Sequence, residues 1–220
     1  LGWITFGGSH ILLSHGSNRS ALTGKLGPLG FSGVYSRIAR AAFTVLVMAY
    51  FPARHAGAPF WDLRLSIPAV RVTEALAYVA FFLISAGLLA PSPLSLGSRD
   101  PYEPRGLTRI TRHPFLAGTA LLGLAHCIPN GFPSDLAFFG GLSLFSLAGA
   151  FHQDARKRRE AAPEAQAFFE HTSVIPFAAI LAGAQTLKPG ELPWLRGGVG
   201  VVAAYLIRNY HDNWWGMPLI

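Results

Sequence analysis

The stretch Val72-Thr-Glu-Ala-Leu-Ala-Tyr-Val-Ala-Phe-Phe-Leu-Ile-Ser-Ala-Gly-Leu-Leu-Ala90 decides the fold class. Glu74 is its one charge, and Pro91 and Pro93 stop it. A helix crossing the hydrocarbon core of a bilayer needs about 20 mostly apolar residues, and this stretch supplies them. The pattern recurs in both directions. Toward the N-terminus lie Val34 to Phe51 and Leu1 to Ser14. Toward the C-terminus a run starts at Pro114, a residue suited to a first helical turn, and reaches Ile128. Pro129-Asn130-Gly131 makes a turn, and Ser134 to Phe151 follows. The last run is Trp194 to Ile207, with Trp214 and Trp215 placed as an interfacial aromatic anchor. Two pieces do not fit a span. Asp154 to His171 is polar and suits an interfacial helix. Val174 to Ala184 is apolar but short, and reads as a re-entrant piece or part of a broken helix. The prediction is an all-α fold: one domain, residues 1–220, forming a polytopic transmembrane helix bundle of about 5–7 membrane segments.

Composition weighs against the alternative, a soluble helical bundle with a basic face, whose surface would be too apolar. Of the 220 residues 51% are hydrophobic and 13% charged, against roughly 25% charged in soluble domains. Lys and Arg number 18 against 11 Asp and Glu, a net charge of +7. The cations sit between apolar runs rather than among polar residues, which points to the lipid bilayer and away from nucleic acid. If the helices alternate, Arg19, Lys25, Arg37, Arg40, Arg99, Arg105, Arg109, Arg112 and Arg156 to Arg159 fall on one face, side A. Side B takes only Arg54, Arg64 and Arg71, while Lys188, Arg196 and Arg208 depend on the short segment. By the positive-inside rule side A faces a cytoplasm, matrix or stroma. The membrane is then a bacterial inner, mitochondrial inner or plastid membrane. The single cysteine, Cys127, excludes an internal disulfide framework. The chain opens on Leu1 inside an apolar run, so its natural N-terminus and any targeting peptide are expected to precede it.

Chemistry centres on the eight histidines, because there is no Gly-rich phosphate loop, GxSxG elbow or HExxH motif. His126 stands among apolar neighbours near the end of its helix. It reads either as a haem iron ligand or as a histidine hydrogen-bonded within the bundle. His10 and His15 lie on or just after the first helix, about 140° apart, so they do not share a face. His55 and His211 fall in or near connections and read as surface residues. His113 is about 20 Å along the helix from His126 and cannot share its metal. With Arg109, Arg112, Asp154 and Arg156 it forms an expected surface charge cluster at side A, pairing Asp154 or lipid headgroups.

These residues carry a resemblance. Arg109-Ile-Thr-Arg-His-Pro114, Leu124-Ala-His126, Asn130-Gly131, His152-Gln-Asp-Ala-Arg-Lys-Arg158 and Thr172 to Gly183 resemble the signature of the NnrU family of membrane proteins. Fainter echoes are Ser9 to His15, Tyr35-Ser36, Trp61-Asp62 and Leu89 to Pro93. The match is strongest over 106–183. One branch of that family is bacterial and associated with nitrite and nitric oxide respiration. The other is the plastid 15-cis-zeta-carotene isomerase, which uses haem b. Asp154-Ala155-Arg156 stands where the isomerase branch has Asp-Arg-Arg, which places this chain nearer the bacterial branch. The resemblance implies haem b on His15 and His126, with His55 as the alternative ligand. Helix alternation puts His15 near side A and His126 near side B, so His10 or His55 is the geometrically easier partner. Three functions follow: an accessory subunit of a larger respiratory or photosynthetic membrane complex, a haem-dependent carotene cis–trans isomerase, or a denitrification-related membrane factor.

Overall fold

The computed structural model describes residues 2–94, 102–161 and 163–215, with the side chains of 160, 164 and 212–215 outside the description. Arg99 and the Trp214 and Trp215 side chains therefore lie outside the described residues. The helices in order are α1 Gly2–Ser14, α2 Gly16–Tyr50, α3 Ile67–Leu89, α4 Pro114–Cys127, α5 Pro133–Asp135, α6 Gly141–Glu160, α7 Gln166–Glu170, α8 Ala178–Leu181 and α9 Trp194–Trp215. A π-helical turn, Leu136–Gly140, joins α5 to α6. No strand occurs among the described residues, and the fold is all-α. Among the described residues three helical stretches are long and apolar enough to cross a membrane: Gly16–Ala53, Ile67–Leu89 and Pro133–Arg159. Pro114–Cys127 is apolar but shorter, and α1 has 13 residues.

The chain divides into two compact units, Leu1–Ala58 and Pro59–Ile220. In the first, α1 packs antiparallel on the later part of α2. Phe6 meets Phe43 and His10 meets Tyr35 across the pair. Between the helices His15 is extended, with ψ 138°. Within α2 the backbone breaks at Gly27, whose φ of 71° is left-handed, and Pro28 restarts the helix.

The second unit is a row of antiparallel helices in the order α9, α3, α4, α6. Hydroxyls bond across each seam. Ser85 Oγ donates to Arg196 O (2.6 Å), Thr73 Oγ1 to Ala125 O (3.2 Å) and Ser143 Oγ to Ala120 O (2.8 Å). Glycines set the closest approaches. A methyl on Gly118 would lie 2.7 Å from Ala80 O, one on Gly123 2.4 Å from Phe139 O, and one on Gly200 2.1 Å from Phe81 O. Small residues and hydroxyl bonds are how helices associate where lipid removes the hydrophobic drive between them.

This register fixes two ends. The side A end gathers the end of α3, the starts of α4 and α9, and the end of α6. The side B end gathers the start of α3 and the end of α4. The structure departs from expectation in two places. The polar stretch after Phe151 is not a separate interfacial helix. It continues α6 to Glu160, and short α7 then buries Phe168 and Phe169 with Leu94 and Ala165. Two consecutive phenylalanines outweigh the polar composition around them. The segment 174–184, too short to span, neither re-enters as a helix nor continues a broken one. It folds back on the loop before α4, where Arg112 N–H donates to Ser173 O (2.8 Å) and Phe177 N–H to Ile110 O (2.9 Å). Helix α9 therefore starts at the side A end, which receives Lys188 and Arg196. Arg208 lies toward side B, paired with Glu74 at 2.7 Å.

Candidate functional site

Two clusters stand at opposite ends of α4. At the side A end Arg112 is 3% exposed and Asp154 6%. Arg112 Nε donates to Asp154 Oδ1 (2.6 Å) and Nη2 to Oδ2 (3.1 Å), the bidentate geometry that suits guanidinium and carboxylate. Arg112 Nη1 donates to Phe169 O (3.0 Å), Thr172 Oγ1 (3.1 Å) and Thr172 O. Burial pulls the guanidinium below its ordinary value, and the Asp154 carboxylate pulls it back up. Arg158, at i+4 on α6, donates from Nε to Asp154 Oδ2 (3.0 Å) and lies over the Phe169 ring. His113 Nε2 is buried 3.6 Å from Asp154 Oδ1, within ion-pair reach but beyond a hydrogen bond, and has no hydrogen-bond partner among the described residues. The expected surface cluster is thus an enclosed ion lock. Its closure comes from α7 and the chain around Thr172, which cover Arg112 from above.

Not every expected member joins it. Arg109 turns to Glu191 instead, with Nε 2.7 Å from Oε2, and also donates to Gln185. The Arg109 hydrogen bond, aided by the Gly106 N–H, holds the Glu191 carboxyl down to about 2. Arg156 is half-buried two residues along α6 from Asp154 and so lies on another helix face. The partners that sequence reasoning missed are Glu191, Gln185, Phe169 and Thr172. Thr172 opens a signature block, and this was the available signal.

At the side B end, the loop before α3 is pinned to the turn after α4. Phe60 N–H donates to Gly131 O (2.9 Å), Leu63 N–H to Pro129 O (3.0 Å) and Trp61 Nε1 to Ile128 O (2.9 Å). Gly131 lies so close to Trp61 that a methyl would fall 2.3 Å from its carbonyl. Asp62 holds Arg64 through two bonds of 2.8 and 2.7 Å, and Arg64 covers the Phe132 ring. Asp135 beside them is fully buried.

His126 sits in this end. Its Nδ1–H donates to Leu122 O (2.8 Å), and its ring stacks on Phe139 at 4.5 Å and 18°. Phe139 belongs to the π-helical turn, a feature frequent at functional sites. Asn130 Nδ2 donates to His126 O (2.9 Å) and fixes the following turn.

The donor set fits a haem iron on one side. With the proton held at Nδ1, Nε2 carries the lone pair, the arrangement found in metal-ligating histidines. The hydrogen bond alone does not distinguish His126, because exposed His171 makes the same bond to Ala167 O at 2.7 Å. The apolar helix and the Phe139 stack do. The other expected ligands belong to the first unit. His10 is half-buried, donates from Nδ1 to Phe6 O (2.9 Å) and lies between the Phe6 and Tyr35 rings. His15 is exposed at the junction of α1 and α2. His55 follows the turn Phe51–Ala53 with a left-handed φ of 55° and is half-buried. His211, read as a surface residue, is half-buried on α9. No group of three or more His, Cys, Asp or Glu able to hold a metal ion occurs among the described residues.

The NnrU protein family model matches residues 1–219. The chain is 28% identical over 190 residues to the chloroplastic 15-cis-zeta-carotene isomerase of Arabidopsis thaliana, covering 82% of this chain and 51% of the relative. It is 26% identical over 180 residues to the Zea mays protein of the same name, covering 80% of this chain and 44% of the relative. The chain thus spans about half the length of the curated relatives it matches. No solved structure matches it significantly. The chain belongs to the NnrU family.

Proposed function

We propose that this NnrU protein binds haem b in an energy-transducing membrane and acts as a cis–trans isomerase on a linear polyene of the zeta-carotene kind. The observation that carries the reading is the His126 imidazole, locked in one tautomer and one ring plane inside an apolar helix pair. The names of the two plant relatives supply the substrate class. His126 would hold the haem in the second unit, and the bound haem would supply an iron centre beside the double bond. The chain's own residues do the rest. Leu122 O keeps the proton on Nδ1, Phe139 holds the ring plane, and the apolar walls of α4 and α6 exclude water. Double-bond rotation needs no net proton or electron transfer, so this reading asks no acid or base of the residues around His126.

The exposed apolar side chains outside the spans favour a second reading, an accessory subunit of a respiratory or photosynthetic complex. Leu181 on α8 is 86% exposed at the side A end. Absorption spectra of the purified chain, oxidised and reduced, test the first reading. A Soret band is expected in the wild type, lost in His126→Ala and kept in His171→Ala. Chromatography of a 15-cis polyene incubated with the reduced protein should show conversion. A wild type without a Soret band defeats the haem and isomerase readings together. Co-migration with a large complex on native gels would then support the subunit.

A further inference from the structure

The first acidic residue of the chain is Asp62, so the whole first unit has no carboxylate side chain. It nevertheless carries Arg19, Lys25, Arg37 and Arg40 along α2. Lys25, Arg37 and Arg40 are exposed, and among the described residues none of them forms an ion pair. Arg19 lies over the Phe31 ring at 5.0 Å, bridging the break at Gly27.

The apolar stretch containing α2, Gly16–Ala53, has 38 residues. The helix breaks at Gly27, and residues 28–53 alone rise about 39 Å at 1.5 Å per residue, more than the roughly 30 Å hydrocarbon core. The part before the break must therefore lie in the headgroup layer or beyond. The part after it contains the apolar run that starts at about Val34, and Arg37 and Arg40 lie in the first two turns of that run, one turn apart on one face. Cations at that depth need a counter-charge within reach of a snorkelling side chain, and the unit's own sequence contains no acid to provide it. The break adds a second feature. Leu29, just past Pro28, is 90% exposed, and Leu26 before it is also exposed. Leucines at a bend flanked by cations match the pattern of interfacial insertion, with apolar side chains at the acyl boundary and cations among phosphates.

We infer that α2 from its bend into the start of the crossing run is a binding surface for anionic phospholipid headgroups, with Lys25 and the snorkelling Arg37 and Arg40 on the phosphates and Leu26 and Leu29 against the headgroup–acyl boundary. The phosphates complete an ion pairing that the unit's sequence leaves open. The inference is independent of haem and of any catalytic activity.

The test uses the full chain in neutral detergent, offered equimolar phosphatidylglycerol and phosphatidylcholine, with retained lipid counted by native mass spectrometry. Wild type is expected to prefer phosphatidylglycerol. Each neutralised cation costs about five-fold in its affinity, so R37Q/R40Q loses about 25-fold and phosphatidylcholine retention stays level. R37K/R40K keeps the preference, which separates charge from fold. Leu29→Ser weakens both lipids alike. Retention of the wild-type preference by R37Q/R40Q overturns the inference. Displacement of the lipid by equimolar glycerol phosphate overturns it too, because the surface would then take a free phosphate. Tight capture of a polyglutamate peptide without any phospholipid preference would assign the surface to a protein and has the same effect.

Discussion

Replacing Asp154 by asparagine keeps the shape of the side A ion lock and removes its only carboxylate. Arg112 then remains charged at 3% exposure, with the Phe169 and Thr172 carbonyls as acceptors but no counter-ion. Breaking a buried pair from one side costs about 3–5 kcal/mol. The asparagine carbonyl still accepts one bond, which sets the expectation near the lower end, about 3 kcal/mol. For a chain of this length each kcal/mol moves the melting temperature by about 2–4 °C, so the drop is about 6–12 °C. Arg158→Gln removes the exposed arm of the same carboxylate, an interaction of about 0–1 kcal/mol that shifts melting by no more than about 4 °C. The double replacement Arg112→Met with Asp154→Leu should recover much of the loss, because apolar side chains carry no desolvation cost. The single half-buried thiol of Cys127 provides the assay. A dye that fluoresces on thiol attachment follows unfolding in detergent. Equal shifts for Asp154→Asn and Arg158→Gln would show that solvent screens the lock, and the reasoning would fail.

Three further outcomes follow from the packing and charge. Gly123→Ala places a methyl against Phe139 O and Ser143 Oγ and should cost about 1–3 kcal/mol on the same melt. Gly149→Ala, with open space around it in α6, should be neutral or stabilising; the opposite order would refute the helix register. The pH dependence of Glu191 has a definite sign. Its folded value is depressed to about 2 from an ordinary 4.5. Its contribution is therefore complete above about 4.5 and disappears as pH falls toward 2, so the melts of wild type and Glu191→Gln should converge there and separate above it. For topology, Arg159→Cys and Lys188→Cys in a Cys127→Ser background should label from the same membrane side. Labelling from opposite sides would mean that 174–184 crosses after all.

The helices were legible because their punctuation is local. Pro114 starts α4, Pro91 follows α3, and the apolar runs between such marks need no partner to be recognised. What stayed hidden depends on the third dimension. Arg109 finds Glu191 from 82 positions away, and no spacing rule announces such a pair. The polar composition of 154–171 concealed Phe168 and Phe169, which are buried only because Leu94 returns to meet them. The side of α9 could not be read from the sequence until the fold-back of 174–184 removed one crossing. His126 was singled out by its apolar neighbours. The tautomer that makes it a plausible ligand depends on Leu122 O and on a π-helical turn that periodicity does not signal.

The signature blocks also divide by position in the second unit. Arg109 to Pro114, His152 to Arg158 and Thr172 to Gly183 converge on the ion lock at one end of α4. Trp61-Asp62, Leu124 to His126 and Asn130-Gly131 converge on the other. Helix α4 has 14 residues, about 20 Å of rise between the two groups. No ligand-bond length covers that distance, so the lock and His126 cannot hold one small ligand between them. Their coupling has to be mechanical. The lock fixes the start of α4 to the end of α6, and the Gly123 contact fixes the middle of α4 to the π-helical turn that carries Phe139. A loosened lock should therefore reach His126 through the register of α4 on α6. Under the haem reading proposed above, the Soret position of Asp154→Asn, compared with that of Arg158→Gln, measures that coupling. A shift in the first without one in the second is the expected result, and identical spectra would confine the lock to stability alone.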